Sequence, residues 1–202
     1  MVDLTNLPRM IMPAAFADLF QEAMNELSPP ADATDDRVAA FVTGPGGGNW
    51  HMGVSGGAFE LIEGTTEAPL VAVSVTVADW REFVAGRVRD VVRDHVDPRL
   101  LDPSMLTKMQ GSGERAERLK TFSGDIQCIV EDDAEDAEYV ATITVGGGAP
   151  NTTAPTTTIR VDLGYLGRLA SGAENVQNAF FAGKIRIEGD MNLAMGLMTA
   201  MM

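Results

Sequence analysis

The sequence holds a single cysteine, Cys128, and two histidines, His51 and His95. One cysteine excludes an intrachain disulfide and fits a reducing compartment. Neither histidine has a second histidine, a cysteine or paired acids around it at metal-ligand spacing. Basic charge is also scarce: 15 Lys and Arg against 29 Asp and Glu leave a net charge of −14. That balance argues against nucleic acid, whose phosphates require a basic face, and against docking on anionic lipid headgroups. No apolar run approaches the ~18 residues of a membrane span, so no stable membrane insertion is expected. The opening residues carry no charged-then-apolar leader pattern, and a cytoplasmic protein is the expectation.

What is present is an ordinary globular mixture, 45% hydrophobic in 202 residues, enough for one large domain or two small ones. Phe16, Leu19, Phe20, Met24 and Leu27 are spaced for a helix from Pro13, stopped by Ser28-Pro29-Pro30. Strands are predicted at 38–43, 49–54, 58–63 and 70–77, with the glycines of 44–48 as a turn. One helix is predicted over 78–96, with Phe83, Val84, Val88, Val91 and Val92 on its apolar face, and a second within 103–120. Strands follow near 122–130, 138–145 and 156–163, then a helix near 164–172, a strand at 184–188 and a terminal helix from 190. The glycine runs at 44–48 and 146–148 lack the lysine and the following helix of a phosphate loop and are expected to be hairpin turns. The acidic stretch Glu131 to Asp136 lacks the glycine and terminal glutamate of a calcium loop, which leaves a solvated hairpin tip. Cys128 alternates within Ile126–Val130 as a small core residue rather than a nucleophile.

The halves are alike. At an offset of 86, Thr66-Glu67-Ala68-Pro69 falls on Thr152-Thr153-Ala154-Pro155. Without a gap, Val73 then meets Ile159, Val75 meets Val161, Val77 meets Leu163, Trp80 meets Leu166, Phe83 meets Leu169 and Gly86 meets Gly172. A strand entered through proline and leaving into a short helix occurs twice, the pattern of an internal duplication.

The copies part at their ends. Only the second continues into ENVQNAFFAGKIRIEGDMNLAMGL, 174–197. Its aromatic couple, Gly-Lys-aliphatic strand, Gly-Asp-Met and apolar helix resemble the C-terminal signature of the sterol carrier protein type two family. Val38 to Gly86 resembles the family's earlier strands and strand-to-helix unit. The resemblance implies an α+β fold, a mostly antiparallel sheet with helices on one face enclosing a lipid tunnel. The family domain is shorter than this chain, so the chain resembles two copies or one copy with a large insertion. As two copies, residues 1–100 are the expected half that lacks the terminal strand and helix and 101–202 the half that has them, either separate or merged into one domain.

The tail alone has a structural explanation. Met191, Met195, Met198 and Met202, with Leu193, Leu197 and Met201, form one broad apolar helix face, as core packing requires. Ile185 and Ile187 alternate with Lys184, Arg186 and Glu188, and Asp190 is placed to cap the helix. With the resemblance, Phe180, Phe181, Ile185, Ile187, Met191, Leu193, Leu197, Met198 and Met201 become the expected lining of a lipid site. Gln177, which matches a glutamine of the family motif, supplies a polar contact. The reading is non-catalytic binding of a fatty acid, acyl chain or sterol with broad specificity, without cofactor or metal. Its rival is a structural or interaction module whose tunnel is filled by side chains, with a homodimer or an enzyme as partner.

Overall fold

The computed structural model describes residues 4, 6–95 and 113–201. Helix α1 (Pro13–Met24) precedes strands β1 (Val38–Thr43), β2 (Gly48–Ser55), β3 (Ala58–Glu63) and β4 (Val71–Thr76). Helices α2 (Val77–Val84), α3 (Arg87–His95) and α4 (Gly113–Lys120) lead to β5 (Gly124–Asp132), β6 (Ala137–Val145) and β7 (Thr157–Asp162). Helices α5 (Leu163–Ala170) and α6 (Val176–Phe181), strand β8 (Ile185–Gly189) and helix α7 (Met191–Met201) complete the order.

All eight strands form one sheet, ordered β3-β2-β1-β4-β6-β5-β7-β8. Pairing is antiparallel except for β1 with β4 and β5 with β7. The register sorts the side chains. Leu61, Met52, Val38, Val71, Val145, Ile126, Ile159 and Ile187 share one face, and the helices pack on it. The other face carries charge. There Glu131 accepts from Arg160 at 3.1 Å and from Arg186 at 2.5 Å, and Glu138 accepts from Arg160 at 2.8 Å. This is the α+β sheet expected from the sequence, with helices on one side.

Two strand-helix units are spaced alike along the chain. Strands β4 and β7 start 86 positions apart, at Val71 and Thr157, and α2 and α5 start 86 apart, at Val77 and Leu163. Strand β4 lies parallel to β1, and β7 to β5. Each helix is capped by the residue before it. Thr76 Oγ1 accepts from Asp79 N at 3.1 Å, and Asp162 Oδ1 from Tyr165 N at 2.8 Å. The order β2-β1-β4 recurs as β6-β5-β7 with the same strand directions, and β4 pairs with β6.

Three expectations need correction. The helix over 78–96 is two helices, broken at Ala85 (φ −141°) and Gly86. Glu82 folds back to accept from Arg87 N at 2.7 Å, and a Cβ on Gly86 would meet the Glu82 carboxylate and backbone. Gly146–Gly148 is no hairpin turn. It opens the crossover from β6 over β5 to β7, which Asp125 holds by accepting from Asn151 N at 3.1 Å. Helix α6 was not anticipated; Asn175 caps it by accepting from Gln177 N at 2.7 Å. The helix expected within 103–120 is present from Gly113, and its earlier part lies outside the described residues.

Candidate functional site

The α1 end of the apolar face is hollow. Helix α1 turns Pro13, Phe16, Ala17 and Phe20 toward the sheet. Beneath them lie Val38, Ala40 and Val42 of β1, Trp50 and Met52 of β2, Leu61 of β3, Val73 of β4 and Trp80 of α2. The large rings hold the helix off the strands, and the small side chains of Ala17 and Ala40 leave the gap open. Phe16 sits edge-on to Trp80, centroids 5.5 Å apart, and stacks on Phe20 at 5.7 Å. The resulting cavity is about 210 Å³, and each of these side chains is apolar.

One polar contact fixes α1 over this space. Strand β3 ends the sheet, so its outer backbone groups have no strand partner. Gln21 supplies one: its Oε1 accepts from Leu61 N at 2.6 Å, and its Nε2 faces Phe59 O at 3.5 Å. The amide stands in for a ninth strand at that point.

The expected tail residues fall into separate environments. Leu193 and Leu197 are buried and pack with Leu119, Ile126 and Val145. Ile185 and Ile187 belong to another cluster, with Val161, Ala179 and Tyr165. Phe180 is half-buried, and its ring lies 5.8 Å from that of Phe181, which stands 85% exposed. Met191 and Gln177 are exposed. The side chains of Met198 and Met201 lie outside the described residues. Asp190 caps α7 as expected, accepting from Asn192 N at 2.8 Å and Leu193 N at 3.2 Å.

The cavity residues were missed because aromatic and aliphatic side chains at helix and strand spacing read as core. The usable signal was Ala40 in VAAFVT, 38–43, a small residue on the sheet face covered by a helix rich in phenylalanine.

Among the described residues no three His, Cys, Asp or Glu side chains could hold a metal together. Cys128 sits in the core around Ile126, and burial pushes its thiol up to about 11, far from a reactive thiolate. His51 points to the charged side of the sheet. Burial and the nearby Arg37 guanidinium lower its pKa, and its buried Nδ1 has no hydrogen-bond partner among the described residues. A neutral imidazole with no nucleophile beside it is not a catalytic pair.

Three comparisons bear on this arrangement. The model of the SCP-2 sterol transfer family matches residues 105–202. No curated protein matches the chain. Among solved structures, sterol carrier protein domain 2 of Helicoverpa armigera is 24% identical, covering 56% of this chain and 84% of its own, with a TM-score of 0.32. The apo form of sterol carrier protein 2 from Yarrowia lipolytica is 19% identical over 59% and 90%, with a TM-score of 0.36. The palmitated protein SCP2L2 from Aedes aegypti is 18% identical over 55% and 92%, with a TM-score of 0.34. The resemblance read in the tail therefore stands over residues 105–202, the part of the chain that matches the SCP-2 sterol transfer family.

Proposed function

We propose that the protein binds an apolar lipid without chemistry, as a carrier of the sterol-carrier type, and that the ligand's apolar part occupies the cavity beneath α1. The family match over 105–202 supports lipid or sterol binding or transfer. The observation that carries the reading is the cavity of about 210 Å³ lined by apolar side chains. At roughly 30 Å³ per water-sized group it accepts about seven methylenes. Each contributes ~0.8 kcal/mol on leaving water, ~6 kcal/mol gross before ordering costs. That supports weak, reversible binding, as a carrier needs. Among the described residues no charged or amide side chain lines the cavity, so the cavity itself selects little beyond an apolar chain.

We also propose that the chain arose by duplication of one sterol-carrier-like half. The 86-residue spacing of β4–α2 and β7–α5 and the repeated strand order support this. In this account the halves 1–100 and 101–202 merged through β4 and β6.

One observation favours the rival reading of a packed module. Leu193 and Leu197, expected to face a ligand, are packed against Leu119, Ile126 and Val145. Native mass spectrometry of the purified chain, with displacement of a fluorescent fatty acid, separates the two. Co-purified lipid and saturable displacement are expected of the carrier. Bare protein that binds no fatty acid, sterol or long-chain alcohol would leave the module.

A further inference from the structure

Cations in this chain are outnumbered by acids, 15 to 29. Arg9, Arg87, Lys120, Arg160 and Arg186 each pair with a carboxylate. Arg81 has no carboxylate within ion-pair distance among the described residues. Its Nε donates to Ile11 O at a long 3.4 Å, and its Nη2 to the Met12 sulfur at 2.9 Å. A thioether is a weak acceptor, and three of the five guanidinium N–H groups have no partner among the described residues. The nearest acids on its helix are otherwise engaged: Asp79 accepts from Thr76 Oγ1 at 2.7 Å, and Glu82 from Arg87 N.

The place of this arginine matters as much as its pairing. Trp80, the residue before it, lines the cavity, and so does Pro13, the residue after Met12. Met12 is 39% exposed, and its methyl group lies over Gly46 of the β1–β2 turn, where a Cβ would collide with it. Met12 and Arg81 are thus in contact with each other, and each is the chain neighbour of a residue that lines the cavity.

We infer that Arg81 binds the anionic end of an acyl ligand whose chain enters the cavity beneath α1, the carboxylate replacing the Met12 sulfur. This rests on the lipid-binding reading and narrows it to fatty acids ahead of sterols and neutral lipids. A carboxylate accepts two parallel N–H bonds from a guanidinium, the strong form of hydrogen bond. The chain's negative field opposes an incoming anion, but it is screened over about 10 Å at 0.1 M salt, while the contact pair is not.

The test measures decanoate and 1-decanol binding to the full chain by titration calorimetry, in wild type, Arg81→Met and Arg81→Lys. Their melting curves establish that the variants are folded. Arg81→Met is expected to weaken decanoate about ten- to a hundred-fold, the worth of a hydrogen bond to a charged group, and to change 1-decanol less than about twofold, the alcohol forming no ion pair. Arg81→Lys, which keeps the charge and loses the fork, is expected to fall between. Decanoate affinity unchanged in Arg81→Met, or an equal loss for acid and alcohol, would overturn the inference while leaving lipid binding in place. A wild type that binds neither ligand overturns the lipid reading itself, and this inference with it.

Discussion

Filling the cavity separates a ligand site from a packing defect. Ala17 of α1 and Ala40 of β1 both line it. Changing both to leucine adds six carbon atoms, about 180 Å³ at roughly 30 Å³ per group, against a cavity of about 210 Å³. The space left cannot hold an acyl chain, so the ~6 kcal/mol of gross burial is withdrawn and affinity falls at least about a hundredfold. Stability moves the other way. Six buried carbons contribute about 5 kcal/mol gross. Strain from tight packing costs about 1–3 kcal/mol, and fixing two leucine side chains about 0.5–1 kcal/mol each. The double variant is therefore expected to be about 1–2 kcal/mol more stable in urea unfolding and to have lost 1-decanol binding. A folded double variant that binds 1-decanol like wild type would refute the reasoning, since the ligand would then lie elsewhere.

Three further outcomes follow from the packing and the charges. Leu197→Ala, in the cluster with Leu119, Ile126 and Val145, is expected to cost about 2–5 kcal/mol and to leave 1-decanol affinity of the folded protein within about twofold; a selective loss of binding would move the ligand to the tail. The Arg87 guanidinium, 2.8 Å from buried Asp132, holds that carboxyl below the usual carboxylate range. Its stabilisation is therefore present above about pH 4, the unfolded carboxylate value, and is lost as pH falls through the lower folded value. The stability gap between wild type and Arg87→Met should narrow in acid and be widest near neutrality; a pH-independent gap would contradict this. The Cys128 thiol, pushed up to about 11 by burial, should resist a neutral-pH thiol reagent until the protein is unfolded, and fast labelling of the native state would show the site to be open.

Most strands were legible because alternation and punctuation agree. VAVSVT, 71–76, follows Pro69 and runs into a capped helix, and TTIRVD, 157–162, repeats this after Pro155. The terminal helix was legible because Gly189 and Asp190 mark its start chemically. The break at Ala85–Gly86 was not, because Phe83, Val84 and Val88 continue a helical stripe across it. Only the folded-back Glu82 carboxylate shows that the backbone stops there. The crossover at Gly146 could not be told from a hairpin turn, since the difference lies in which strand fills the space between β6 and β7. The tail drew the functional reading because its motif is dense. The cavity has no motif, only a mismatch of side-chain sizes between α1 and β1 that appears once the two are opposed.

The chain has two tryptophans, and both Trp50 and Trp80 line the cavity. Quenching of tryptophan emission by 10-bromodecanoate therefore reports on this cavity and on nothing in the tail. The account predicts saturable quenching that unbrominated decanoate reverses at the concentrations where calorimetry records binding. Calorimetric binding of 10-bromodecanoate with tryptophan emission unchanged would contradict it.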